Sequence, residues 1–297
     1  MDAKFHPAIA ALQSGDVGRL RALVRADPTL ATSRSTTSHP TLLQCLVLEG
    51  KDAPDHVEMV KVLIDVGAEL NGPLGACASC DNVAAAALLL DRGAAINGFG
   101  GWSPLEEALY WNSGGVIRLL TQRGASIHNL RIAAGLGRTD AIDTFFAPDG
   151  SLRAEAGTID WPWGDLDVIE ASNFDRNGKD MLAAKFASFT NDREGIVNNA
   201  FLYACMHGHI AAAERLLERG ARIDAIPGGF DFAGTALHYA ALNGHRTMIE
   251  FLVEQGADVS VKDTKVGETA AGWADYGGYA EIADLLRHVR ASKPGGT

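Results

Sequence analysis

Histidine is the side chain best placed to move a proton near neutral pH, and the triplet His207-Gly208-His209 is the most chemically suggestive spot in the chain. A histidine near Asp231 has the chemistry of a general base or a proton donor. No Ser, Cys or Thr nucleophile stands at a spacing that would complete a catalytic set, so His207 reads first as a polar contact and only second as a catalyst. Cys77-Ala78-Ser79-Cys80 is a lone CxxC, and a zinc site needs two more ligands that no second pair supplies. Small residues packing between helices explain it better. Asp165-Leu166-Asp167 and the run Asp175 to Asp180 place carboxylates at metal-like spacing, but the second lacks the terminal Glu of a calcium loop. Its Asn177-Gly178 is more simply a tight turn. No glycine-rich phosphate cradle follows a strand. The expectation is therefore no metal and no cofactor.

These residues sit on a repeated scaffold. In Gly234–Ser260, GTALHYAALNGHRTMIEFLVEQGADVS, Thr235 is placed to cap a short helix with Leu237, Ala240 and Ala241 on its apolar face. Gly244 breaks that helix. A second follows, with Ile249, Leu252 and Val253 at helical spacing, and Gly256 ends it where a left-handed conformation costs glycine little. Gly244 serves as a ruler: a cap lies eight to nine residues before it and a Gly-Ala pair twelve after. The same ruler fits at Gly208, Asn112 and Asp81. It fits at Gly50 if Lys51–Asp55 is an insert, and more weakly at Gly15, Gly137 and Gly278. Eight helix pairs result.

TALHYAALNGH, SPLEEAL and the series DVGAEL, DRGAAI, QRGASI, ERGARI, EQGADV resemble the ankyrin repeat, whose period is about 33 residues. The resemblance implies an all-α ankyrin-repeat solenoid, in which each pair buries its apolar face only against its neighbours. His209 and His245 then fall at the family's Gly-His turn position, which is structural. Of the family's cap-histidine slots only His238 is kept. Ile9, Gln44, Gly75, Glu106, Arg131, Leu202 and Gly272 occupy the others. Gln44 and Glu106 stand three after Thr41 and Ser103, the spacing of a capping box.

The interval from Gly137 to Gly208 is 71 residues, roughly twice the period. The chain accordingly divides into residues 1–146, with repeats one to five, an insertion at 147–196 between repeats five and six, and residues 197–297, with repeats six to eight and a C-terminal cap. Two readings of 147–196 stand: a degenerate ninth pair, or an excursion folded over the groove.

Ankyrin folds offer partners the residues just before the ruler position and the loop before the cap. In the end repeats these are Gln13, Ser14, Leu48 and Glu49. In the central ones they are Phe99, Trp102, Tyr110, Trp111, Met206, His207, Asp231, Phe232, Leu242 and Asn243, with Trp161 and Trp163 in the insertion. Aromatics make up only 7% of the chain, so this concentration is informative: exposed rings bind something or are covered. Packing of the insertion on them as a local core is the alternative.

Composition narrows the partners. A formal net charge of -11 with no long basic run argues against nucleic acid and against an anionic membrane. The stretch Val83–Leu90 is far too short to span a bilayer, and Met1–Asp16 has no apolar core of a signal peptide. Four cysteines in apolar helical stretches fit a reducing cytosol. The expected function is a non-catalytic recognition module that binds a protein segment, or a small apolar or aromatic ligand, in the central concave groove. The rival is an enzyme or small-molecule pocket formed by repeats four to seven and the insertion, with His207 as its acid or base.

Overall fold

The computed structural model describes residues 2–35, 41–51, 53, 55–98, 103–157, 179–181, 183–184, 188, 191–230 and 233–292. These form two compact units, one built on residues 2–126 and the other on 127–157 with 191–292.

The first unit holds four helix–turn–helix pairs: α1 (His6–Ser14) with α2 (Val17–Ala26), then, after the short α3 (Thr29–Thr32), α4 (Leu42–Glu49) with α5 (His56–Asp65), α6 (Asn71–Cys80) with α7 (Val83–Asp91), and α8 (Pro104–Tyr110) with α9 (Gly114–Gln122). First helices pack on first helices (α4 on α6, α6 on α8) and second on second (α2 on α5, α5 on α7, α7 on α9). The second unit repeats the scheme with α10 (Leu130–Gly135) and α11 (Thr139–Thr144), α12 (Arg193–Met206) and α13 (Ile210–Glu218), α14 (Ala236–Leu242) and α15 (Arg246–Glu254), and α16 (Ala270–Tyr276) and α17 (Ala280–Ser292). Here α12 packs directly on α10, α14 on α12 and α16 on α14.

Side-chain caps start the helices. Thr41 and Gln44 form a reciprocal capping box, the Asn82 amide oxygen accepts from Ala85 N–H at 3.2 Å, and the Ser103 hydroxyl accepts from Glu106 N–H at 3.1 Å. Each satisfies a donor that the first helical turn leaves without an intrahelical partner. The second helices end in the left-handed region, with Gly67, Gly93, Gly124, Gly220 and Gly256 all at positive φ, as the Gly-Ala series predicts.

The ruler positions Gly15, Asp81, Asn112, Gly137, Gly208, Gly244 and Gly278 also have positive φ. Gly50 does not; its φ is -107°. In the second pair the insert moves the left-handed residue to Asp55, at φ 58° and immediately before α5. Asp81 departs from glycine with a compensation: its carboxylate accepts from Val116 N–H in the next pair at 2.8 Å.

In the second unit, neighbouring pairs touch at their turns. A Cβ on Gly137 would lie 2.8 Å from the His209 imidazole, and one on Gly208 would lie 3.0 Å from that of His245. Pairs five and six are therefore stacked turn on turn, in the same register as pairs six and seven. The loops carry a second ladder: Ala95 N–H to Asn71 Oδ1, Arg222 N–H to Asn198 Oδ1 and Asp258 N–H to Asp224 Oδ1, at 2.8 to 3.0 Å.

Candidate functional site

The residues one and two positions before the ruler end each first helix, and their environments differ from pair to pair. In the first unit these are Tyr110 and Trp111. Their rings meet edge to face with centroids 5.1 Å apart, and the Trp111 indole N–H donates to the Glu107 carboxylate at 2.8 Å. Trp111 is nonetheless 50% exposed, a large apolar area left in water at the end of α8. At the other end of that unit a cavity of about 230 Å³ is lined by Leu12, Gln13, Cys45, Leu46 and Glu49, among others. Burial, reinforced by the Glu49 carboxylate, pushes the Cys45 thiol up to about 12. That makes it an inert part of the lining rather than a nucleophile.

In the second unit the corresponding residues are Met206 and His207, Leu242 and Asn243, and Tyr276 and Gly277. Met206 is buried in a cluster with Leu202, Tyr239 and Trp273, on which Phe230 and Leu242 pack. Its main-chain carbonyl accepts from the His245 imidazole at 2.8 Å and from the Asn243 amide at 3.3 Å. His207 is half-buried at the C-terminal end of α12, its ring nearly parallel to that of His209 with centroids 6.3 Å apart. Phe99, Trp102, Trp161, Trp163, Asp231 and Phe232 lie outside the described residues, as do Asp165, Asp167 and Asp175 to Gly178.

Sequence reasoning named Leu242 and Asn243 in the seventh pair but no groove residue in the eighth. Trp273 stands four residues after Thr269, as Tyr239 does after Thr235, and Tyr276 stands seven after it, as Leu242 does. This register was available from the sequence but hidden by reading the last repeat only as a cap. Trp273 packs edge to face on both Tyr239 and His238, each at 5.1 Å. Its indole N–H donates to Asp263 at 3.1 Å. Asp263 also accepts the main-chain N–H groups of Lys265, Val266 and Glu268 at 2.7 to 2.9 Å. Burial on its own pushes this carboxyl up, but the four donors outweigh it and hold it at about 2. The loop so fixed sets Val266 and Glu268 at the mouth of a cavity of about 230 Å³, lined also by Leu242, Gly272, Trp273 and Tyr276. Val266 is 64% and Tyr276 86% exposed.

Among the described residues no group of three or more His, Cys, Asp or Glu is placed to hold a metal ion. Cys77 is buried and Cys80 half-buried, with both thiols pushed up first by desolvation. The Cys80 thiol donates to the Val47 carbonyl at 3.3 Å. No described helix is long and apolar enough to cross a membrane.

Stacked helix pairs, tied turn to turn and loop to loop, define a helical repeat protein. The family model for ankyrin repeats, in three copies, matches residues 176–263 and 201–293. The chain carries ankyrin repeats, and its fold is the all-α ankyrin-repeat fold; such repeats are generally protein-interaction modules. None of the curated proteins compared with the chain matches it.

Proposed function

We propose that the chain is a non-catalytic recognition module that takes a protein segment along the inner-helix face of its repeats. The observation that carries this reading is Trp111: a tryptophan half exposed beside Tyr110, at a position that the repeat presents outward. Indole and phenol rings contribute large contact area with little side-chain entropy to lose, which is why they dominate binding hot spots. His207, half-buried at the same position of pair six, adds a polar contact. By sequence position, Phe99 and Trp102 precede the cap of pair four and extend the candidate set around Trp111, Asp231 and Phe232 precede the cap of pair seven and extend that around His207, and Trp161 and Trp163 of the insertion are further candidate contacts. The enzyme reading needs those residues to converge on His207, and no observation favours it. A cytosolic setting suits four unpaired cysteines.

The test is selection of a random twelve-residue peptide library on the immobilised chain, followed by affinity measurement for the peptides retained. Trp111→Ala and His207→Ala are expected to weaken binding, with Trp111→Ala costing about 1–2 kcal/mol. If both variants bind all selected peptides as the parent chain does, the inner-helix face is not the binding surface.

A further inference from the structure

The loop at 263–268 is built to hold an apolar rim and a carboxylate over one small cavity. Four N–H groups converge on Asp263, and Lys262 and Thr269 close the loop as an antiparallel bridge. Val266, 64% exposed, and Tyr276, 86% exposed, line the same cavity. An exposed valine sharing a cavity with an exposed tyrosine loses no folding energy when covered and gains the burial of both.

The floor is apolar: Leu242 and Trp273, with no side chain from Gly272 to fill the space. A Cβ on Gly272 would press on the Glu268 carboxylate, so glycine here keeps that group at the cavity edge. Glu268 uses its main chain in three bonds: its N–H to Asp263, and its carbonyl to Asp263 N–H and the His238 imidazole. Among the described residues its exposed carboxylate is in no ion pair or side-chain hydrogen bond. The Arg287 cation of α17 is already engaged with Asp275 of α16 and with Asp284. At about 230 Å³ the space is smaller than the roughly 300–1,000 Å³ of small-molecule sites and suits one bulky side chain.

We infer that this cavity between the seventh and eighth repeats is a subsite for a protein segment carrying a large apolar side chain next to a lysine or arginine. The apolar group enters between Val266, Trp273 and Tyr276, and the cation meets Glu268. The inference rests on the recognition reading proposed above and adds to it a second place and a partner chemistry. Charge selects the occupant. A two-fold pairing of this face with a second copy would bring two Glu268 carboxylates together, and an anionic lipid surface would be repelled by Glu268 and by a chain of net charge -11.

The experiment is a titration of the isotope-labelled full chain with two probes, N-acetyl-phenylalanyl-arginine amide and N-acetyl-phenylalanyl-glutamate amide, following the indole N–H resonances of Trp273 and Trp111. The expected result is a saturable shift of Trp273 with the arginine probe and about twofold to fivefold weaker binding of the glutamate probe, the range of an exposed charge pair. Glu268→Gln should bring the two probes together, and Tyr276→Ala should weaken both. Both side chains are exposed, so neither change threatens the fold. Equal binding of the two probes, a Trp273 shift indifferent to Tyr276→Ala, or a Trp273 shift that follows protein concentration without probe each overturns the subsite; the last assigns the face to self-association. The Trp111 resonance separates the failures: library peptides that move Trp111 while Trp273 stays still would leave the general recognition reading standing and remove only this subsite.

Discussion

The His245 imidazole donates from Nε2 to the main-chain carbonyl of Met206 at 2.8 Å, linking the turn of the seventh repeat to the last turn of the first helix in the sixth. The bond requires no charge on the ring, and burial, more than the neighbouring carbonyl, sets the ring's affinity for a proton below its ordinary value. His209 is lowered in the same sense, first by burial, with the Gly135 main chain acting in the opposite direction. His238, also lowered first by burial, accepts the Thr235 N–H at Nδ1 and donates from Nε2 to Glu268. Protonating Nδ1 of His238 would remove the acceptor that caps α14.

A pH dependence follows. All three imidazoles bind a proton less readily in the folded chain than at the free value near 6.5, so the unfolded chain takes up more protons below that value. The stability contributed by the neutral rings is complete above pH 6.5 and is lost progressively as pH falls beneath it. Urea midpoints measured at pH 7.5, 6.5 and 5.5 should decline in that order. In a His209→Gln/His245→Gln variant the decline should be shallower. An unchanged slope would mean that other groups dominate.

The turn glycines separate two costs. Gly256 has φ 95° and nothing within 4 Å of a built Cβ, whereas Gly244 has φ 73° and its Cβ would run into the Tyr279 ring. Gly256→Ala should cost about 1–2 kcal/mol, the strain of a left-handed alanine. Gly244→Ala should cost more, because the ring must also move. Placing Gly244→Ala in a Tyr279→Ala background should remove the excess. Equal losses at both glycines would contradict the turn-on-turn contact.

How much of this was legible in the sequence depends on whether a signal was local. The Gly-Ala helix ends and the caps at Thr41 and Ser103 are local, and the eight helix pairs follow from such signals. At Gly50 the expected insert is present and the left-handed residue is Asp55; sequence alone does not say which residue of a longer turn takes that conformation. Met206 was read as a groove residue from its position; its burial depends on Tyr239 and Trp273, more than thirty residues away, which a one-repeat ruler does not see. The cavity at Val266 was missed because it depends on Asp263 gathering four donors, a tertiary event. Phe99, Trp102, Trp161, Trp163, Asp231 and Phe232 stay as sequence expectations.

Asp263 gives a second, lower pH window. Its folded-state value of about 2 lies below the ordinary 3.9. Its contribution is thus present above pH 4 and is lost as pH falls from about 4 to 2. Asp263→Asn should lower the melting temperature at pH 7, release the Trp273 indole from its acceptor and shift that resonance. A variant with parent-like stability and an unshifted Trp273 would show that the loop holds its shape without the carboxylate.

Thiol chemistry tests the packing of the first unit. Cys45 at about 12 and Cys77, higher still, are held protonated by burial first, and Cys205 is raised in the second unit by burial alone. At pH 8 a thiol near 12 is thiolate about 10³-fold less often than a free one near 8.5. Iodoacetamide should therefore label these three far more slowly in the folded chain than in urea, with half-buried Cys80 ahead of them. Rapid labelling of Cys45 in the folded chain would show that the cavity beside Leu12 and Glu49 opens on the timescale of the reaction.

Removal of the last repeat is the broadest test of neighbour-supported stability. In a repeat array each pair covers its neighbour, so the terminal pair must cover an apolar face without offering one. Trp273 covers Tyr239 and contributes to the cluster that buries Leu202 and Met206, and α16 packs on α14. Deleting Gly267–Ala291 strips the tryptophan from Tyr239 and from the cluster with Met206 and takes away the carbonyl of Glu268 that holds His238. The truncated chain should aggregate or bind a hydrophobic dye at concentrations where the full chain is monodisperse. Trp273→Ala alone, with the repeat otherwise intact, should reproduce part of the loss at about 3–5 kcal/mol, the range for truncating a buried tryptophan. If the deletion leaves a soluble chain that melts as before, the eighth pair is an appendage and the buried cluster around Met206 is held by the sixth and seventh pairs alone.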